Sequence, residues 1–369
     1  MRILHTSDWH LGRTFHRESL LAGQAAFVDH LVETVRAERV DVVAVAGDVY
    51  DRALPPVDAV ALLDEALARL RSAGARVVLI SGNHDSALRL RFGSALFEPA
   101  GVHVRTSPDL SWEPVLVDGV AFYGIPYLEP ELVRAPWELP DRSHTAAITY
   151  AMSRIRADAA RHRASVVLAH CFVTGGQASD SERDISVGGV AHVPLAAFDG
   201  ADYVALGHLH GRQRMSETVR YSGSPLAYSF SEAGHVKGSW LVTLGSSAEF
   251  VPAPVPRPVA RLRGDLEDLL SSPKYEDFED HWLQITLTDA VRPKSAMDRL
   301  RARFPHTLAL SFDPAGGAPV ARPARVSGRP EAEVALDFVR EVRGEPAAPE
   351  EEDLLRQAIE ASRAKETMA

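Results

Sequence analysis

Five short stretches carry residues able to do chemistry together: Asp8-Trp9-His10, Gly47-Asp48-Val49-Tyr50-Asp51, Gly82-Asn83-His84-Asp85, His170, and Gly207-His208-Leu209-His210. Carboxylates, imidazoles and an amide oxygen are metal ligands, and with cysteine absent from the set they suit manganese in an open octahedral site, with iron or zinc also permitted. In an extended segment alternate residues face the same way, so Asp8 and His10 can reach one ion together, and His208 and His210 have the same spacing. Asp8, His10, Asp48, Asn83, His170, His208 and His210 suit two cations less than ~4 Å apart better than one. Asp48 is the best bridge because each of its oxygens can hold a cation. Two divalent cations against two carboxylates leave a net positive centre, which draws in a phosphodiester anion. Hydrolysis of a phosphate ester is therefore the expected chemistry.

His84 directly follows Asn83 and points elsewhere if Asn83 binds metal. It can donate a hydrogen bond to the transition state or protonate the leaving oxygen, or it packs over the site. Asp51 and Asp85 are expected to orient ligands or cap the next helix. Cys171 reads as a small buried strand residue, and His5, His16, His144 and His192 as isolated core or surface histidines.

Each stretch follows an apolar run: Ile3-Leu4 and residues 40 to 46, 75 to 80, 164 to 169 and 203 to 206. These read as buried strands, which side by side would gather the polar residues at one sheet edge. Phe27, Leu31 and Val35, then Val60, Leu63, Leu67 and Leu70, recur at helical spacing. Residues 40 to 81 are thus strand, helix, strand, a unit that makes parallel neighbours and puts Asp48 and Asn83 on one side. Residues 115 to 125 form a hairpin around Asp118-Gly119, with antiparallel additions near Arg220 to Ser224 and Ser239 to Leu244. The fold class is α/β: two mixed sheets packed face to face with flanking helices, as a first domain over residues 1 to 268. Pro252, Pro254, Pro256 and Pro258 make a stiff connector. A small α/β cap over 269 to 330 contains strands at 281 to 287 and 307 to 312 around a helix at 295 to 303, and is too short for much independent core. A helical tail over 331 to 369 carries Val334, Phe338 and Val342 on one stripe and Leu355, Ile359 and Ser362 on another, split at Gly344-Glu345-Pro346. The tail packs on its own domain or docks onto a partner.

At 369 residues the chain exceeds one domain of roughly 100 to 200 residues. No apolar stretch approaches the roughly 18 residues of a membrane span, and a single cysteine fits a reducing compartment, so a cytoplasmic protein is expected. The net charge of -10 argues mildly against nucleic-acid binding by bulk attraction. Basic residues nevertheless cluster between 292 and 329, at Arg292, Lys294, Arg299, Arg301, Arg303, Arg322, Arg325 and Arg329.

The ordered set of stretches resembles the calcineurin-like metallophosphoesterase superfamily. Within it Gly82 to Ser86, Gly124-Ile125-Pro126-Tyr127, Asp180-Ser181-Glu182-Arg183, Val187-Gly188-Gly189, Tyr203 to His210 and Tyr221-Ser222-Gly223-Ser224-Pro225 resemble the SbcD family. These are nuclease subunits of bacterial SbcCD complexes, counterparts of the nuclease in the eukaryotic meiotic-recombination complex. The likeness spans about residues 1 to 250 and is thinner through the cap. It implies that Asp8, His10, Asp48 and His210 hold one Mn2+, that Asp48, Asn83, His170 and His208 hold another, and that His84 acts on the transition state. The implied activity is 3'-to-5' exonuclease action on double-stranded DNA ends, with endonuclease action on single strands and hairpins. The implied partners are DNA and an SbcC-type ABC ATPase bound through the tail, with the nuclease a homodimer inside a heterotetramer and no membrane involved. Some archaeal and eukaryotic relatives carry a second catalytic histidine where this chain has Asp51, so that role does not pass to Asp51. A partner that supplies DNA-binding surface also removes the objection from net charge, leaving the arginines of the cap to touch the DNA backbone. Other readings are a two-metal phosphatase or cyclic-nucleotide phosphodiesterase, and a scaffold on the same fold without catalysis.

Overall fold

Near-continuous apolar runs such as Val42-Val43-Ala44-Val45-Ala46 belong to strands buried on both faces. In the computed structural model, which describes residues 1–185, 192–314 and 331–367, the five expected strands are Arg2–Thr6, Val42–Ala46, Arg76–Ile80, Ala164–His170 and Tyr203–Gly207. They do not lie side by side in one sheet. The first three sit in a six-stranded sheet ordered Ser247–Pro252, Gly238–Thr243, Arg2–Thr6, Val42–Ala46, Arg76–Ile80, Val102–Arg105. The other two sit in a second six-stranded sheet ordered Gln213–Arg214, Val219–Tyr221, Tyr203–Gly207, Ala164–His170, Val120–Ile125, Val115–Val117.

Alternation along each strand builds three apolar layers. Ile3, Val42, Ala44, Val78 and Ile80 of the first sheet pack with Phe122, Val166, Leu168 and Ala205 of the second. Leu4, Val43 and Val45 point the other way, onto Phe27, Leu31 and Val35 of helix Leu21–Glu38 and Leu63 and Leu70 of helix Val57–Ser72. Val167 and Ala169 pack on Ile148, Met152 and Ile155 of helix His144–Ala159. Each fully buried side chain of this size contributes about 1.5–3 kcal/mol, so the strand ends are held by packing on both faces. His5 is a core residue, its ring 2.9 Å from Tyr203 Oη and 3.1 Å from Leu206 O, and burial pushes its pKa down to about 3.

The hairpin turns at Asp118 (φ 48°) and Gly119 (φ 81°), as the two-residue loop requires. Val219–Tyr221 departs from expectation: it runs parallel to Tyr203–Gly207 and is antiparallel only to Gln213–Arg214. Gly238–Thr243 is antiparallel to both of its neighbours.

The two strands expected in the cap share their sheet with a third that precedes residue 269. Val259–Gly264 pairs parallel with Trp282–Leu287, which pairs parallel with Thr307–Phe312. This third strand completes a core of its own, with Leu262, Leu266, Leu283, Ile285, Leu300 and Phe304 buried. A second apolar cluster joins the cap to the double sheet, Val259 and Trp282 meeting Phe15, Leu226, Tyr228 and Phe230. The basic residues of the cap divide in role. Arg299 pairs with Glu267 at 2.5 Å, Arg301 donates to Thr307 O, and Arg303 pairs with Glu279 at 2.9 Å while bonding Leu269 O and Ser272 O. Arg292 and Lys294 are exposed. Arg322, Arg325 and Arg329 lie outside the described residues, as does Val187-Gly188-Gly189.

The tail forms a separate unit of two helices, Glu331–Arg343 and Pro349–Thr367, with Arg343 bonded to Glu351 at 2.7 Å across the break. Among the described residues no helix is long and apolar enough to cross a membrane.

Candidate metal centre

Parallel strands bring their carboxyl ends to one side, and the five stretches follow those ends. Tight turning of the backbone then does what strand alternation does not. Asp8 (φ 54°), His10 (φ 45°), Asp48 (φ 48°) and His208 (φ 104°) all adopt the left-handed region, so the spacing of Asp8 and His10 works through a bend and not through an extended segment. Such conformations cost of order 1–3 kcal/mol each and persist only where packing and hydrogen bonds enforce them. Here Asp8 N donates to Gly47 O and His10 N to Asp48 O, both at 3.0 Å.

The structure brings all eight expected residues into one cluster, seven of them buried and Asn83 half-buried. Nitrogen or oxygen atoms of Asp8, His10 and His210 lie within 4.8 Å of one another, and so do those of Asp8, Asp48 and His170 and of His10, Asp48 and His84. Asp48 Oδ2 is 3.5 Å from His170 Nε2 and 3.6 Å from His10 Nε2. Asn83 Oδ1 is 2.9 Å from His170 Nε2 and 3.2 Å from His208 Nδ1, and the Nε2 atoms of His10 and His210 face each other at 3.1 Å.

This donor set fits cations. His170 Nδ1 donates to Ala46 O at 2.9 Å, so its neutral ring turns a bare lone pair on the Asp48 carboxylate, an acceptor facing an acceptor. The protein alone resolves the conflict with a proton: burial would lower the pKa of His170, but the Asp48 carboxylate outweighs it and raises it to about 9. Burial raises Asp8 to about 7, with Asp48 adding like-charge repulsion. Burial also opposes the charge on Asp48, yet His170 and His10 hold it well below the usual carboxylate range. The cluster is short of positive charge, the condition that metal ions relieve as they displace protons.

Neighbouring groups fix the ligands. Ser7 Oγ donates to Asp8 Oδ2 at 2.5 Å and His208 N to Asp8 Oδ1 at 3.0 Å. Asp51 Oδ1 lies 3.5 Å from His10 Nδ1 and 3.2 Å from Arg13 Nη1. Asp85 accepts from the backbone N–H groups of Val49, Tyr50 and Gly82 at 2.8–3.0 Å, tying two of the stretches together. His84 Nδ1 donates to Asp51 O at 2.8 Å, and burial lowers its pKa to about 4. Three glycines of the five stretches are obligatory for close approach: Gly47 (φ 92°), where a Cβ would run into the His170 ring, Gly82, where it would overlap the Asp48 carboxylate, and Gly207, where it would overlap Ala46 O. Cys171 is buried and its pKa is pushed up to about 12 by burial, an inert thiol.

Composition and spacing missed the polar residues behind the ligands. Gln24 Nε2 donates to His10 O at 2.7 Å, Glu182 Oε1 accepts from His210 N at 2.8 Å, and Ser181, Glu232 and Lys237 are buried or half-buried near His210. Ser181 and Glu182 do stand in the Asp180 to Arg183 motif; Gln24, Glu232 and Lys237 stand in none.

A dimetal phosphatase from Danio rerio is 15% identical, covering 60% of this chain and 86% of its own, with a TM-score of 0.36. GAP50, the anchor in the inner membrane complex of Plasmodium, is 13% identical, covering 86% of this chain and 98% of its own, with a TM-score of 0.36. The SbcD C-terminal family model, described as the type 5 capsule protein repressor C-terminal domain, matches residues 255–343. The calcineurin-like phosphoesterase model matches residues 1–212, more than half of the chain. With a cluster able to hold metal at the carboxyl ends of its parallel strands, the chain belongs to the calcineurin-like phosphoesterase family.

Proposed function

We propose that this chain is the nuclease subunit of an SbcCD-type complex, hydrolysing DNA phosphodiesters as a 3'-to-5' exonuclease on duplex ends and an endonuclease on single strands and hairpins. One observation carries the step from phosphoesterase to DNA: a single chain joins a calcineurin-like phosphoesterase domain to a segment matching the SbcD C-terminal model. Asp8, His10, Asp48 and His210 are assigned to one cation, and Asp48, Asn83, His170 and His208 to the other. Support comes from Asp48 Oδ2 standing at similar distances from His10 and His170, the place of a bridge. Two divalent cations held there, manganese in first place, would polarise the phosphoryl oxygens and lower the pKa of water.

The protein's own groups do the rest. His84 is held by Asp51 O beside the cluster, and an approaching phosphodiester anion favours its imidazolium, which has a proton to give. Among the described residues of the basic cluster, Arg292 and Lys294 are left for phosphate contacts, since Arg299, Arg301 and Arg303 serve the cap itself. Residues 1–268, 269–330 and 331–369 would act as nuclease, cap and partner-binding tail, with the cap sheet reaching back to Val259. The complex would be cytoplasmic and built on a homodimer of nuclease chains.

Incubation with Mn2+ and either hairpin DNA or a small phosphomonoester tests the substrate. Cleavage of the hairpin is expected, and turnover of the monoester alone would sink the nuclease assignment in favour of a phosphatase. Partner capture is a separate test. Helix Glu331–Arg343 exposes Phe338 and Val342, and deleting residues 331–369 should abolish binding of an SbcC-type ATPase while manganese-dependent cleavage of single strands persists. Undiminished capture would move the partner surface elsewhere.

A further inference from the structure

His170 and His210 are oriented by different means. His170 Nδ1 bonds a main-chain carbonyl, Ala46 O, whereas His210 Nδ1 meets a hydroxyl, Ser181 Oγ, at 2.6 Å. A hydroxyl either donates or accepts, so Ser181 alone does not decide which nitrogen of His210 carries the hydrogen. The decision lies one step further back. Ser181 Oγ is also 2.6 Å from Glu232 Oε1, and Glu232 Oε2 is 2.5 Å from Lys237 Nζ. Glu232 and Lys237 are almost completely buried, at 1% and 4% exposure, and Lys237 Nζ further donates to His210 O and Ser224 Oγ, both at 2.9 Å.

An ionised carboxylate only accepts. Glu232 has the geometry of an ion-paired carboxylate: the Lys237 ammonium donates to its Oε2 at 2.5 Å, Tyr228 N–H donates to its Oε1 at 3.1 Å, and both charged side chains are almost fully buried. The single hydrogen of Ser181 therefore goes to Glu232. Ser179 Oγ, 3.0 Å away, is a neutral competitor whose own hydrogen goes to Glu182 Oε2 at 2.6 Å. Ser181 Oγ is left to accept from His210 Nδ1–H, and His210 Nε2, which faces His10 Nε2 at 3.1 Å, carries the lone pair.

We propose that Ser181, backed by the buried Glu232–Lys237 pair, is a positioning residue that fixes the Nδ1–H tautomer of His210 and thereby sets cation affinity at the one position His210 serves. This rests on His210 being a ligand, as assigned above. The other position, oriented through Ala46 O, does not depend on Ser181.

The test uses the full-length, metal-free chain labelled with 15N-histidine, at a pH above the histidine range. Nitrogen shifts report the tautomer, with the His210 signals identified by their loss in His210→Ala. Calorimetry with Mn2+ alone reports the two affinities. Wild type and Ser181→Thr should show Nδ1–H; Ser181→Ala should show a mixture of tautomers and lose about 10- to 100-fold in one affinity while the other holds. Retention of the Nδ1–H form in Ser181→Ala, or equal weakening of both positions, would overturn the proposal. Two undiminished affinities in His210→Ala would instead remove His210 from the ligand set, and the proposal with it.

Discussion

Replacing His84 by alanine should lower DNA hydrolysis by about a hundred- to ten-thousand-fold, the range for a lost general acid, while two cations remain bound. Geometry makes this measurement decisive because His84 stands near enough to be either catalyst or ligand. A nitrogen of its ring falls within 4.8 Å of ligand atoms of His10 and Asp48, and its backbone N–H donates to Asp48 Oδ1 at 2.8 Å. Its Nδ1 is occupied by Asp51 O, which directs the ring as an orienting bond would. Burial lowers its pKa to about 4, so the ring is neutral near pH 7 until negative charge approaches. Proton donation then depends on the imidazolium fraction in the substrate complex, and kcat should fall on the alkaline side of that complex's pKa. The same limb should be missing from His84→Ala. Metal analysis showing fewer than two cations in the variant would make His84 a ligand instead.

The residues that announce the site were legible because physics places them where sequence shows them. A strand buried on both faces is an apolar run, a parallel sheet puts successive strand ends on one side, and Asp48 and Asn83 follow directly. The division of the five strands between two sheets was less legible, since nothing in a short apolar run states its neighbour. The cap strand Val259–Gly264 hid behind prolines, although Val259-Ala260-Arg261-Leu262-Arg263 ends in the apolar and charged alternation of a half-buried strand. Left-handed backbone at Asp8, His10 and Asp48 leaves no trace in spacing, because glycine is its usual mark, and aspartate and histidine, though enriched there among other residues, mostly adopt ordinary backbone. Glu232 and Lys237 were invisible for a simpler reason. Both types sit at surfaces unless paired, and only the folded chain pairs them.

Lys237→Met should destabilise the protein by about 3–5 kcal/mol, far more than the loss of an exposed ion pair. Glu232 and Lys237 meet at 2.5 Å with side chains 0% and 2% exposed, so removing the ammonium strands a carboxylate where water does not reach it. Glu232→Gln combined with Lys237→Met removes both charges and should recover most of that loss in urea unfolding, because the penalty belongs to the unpaired charge and not to the missing bond. Acid supplies a second reading. The depressed pKa of Glu232 gives a stabilisation that is full above the unfolded carboxylate value and is lost as pH falls through the folded one. Lowering the pH should therefore narrow the gap between wild type and Lys237→Met, since protonated Glu232 no longer needs its partner. Equal losses in the single and double variants at every pH would assign the contribution to packing of the lysine stem, and the buried charge pair would no longer explain why these two residues lie behind His210.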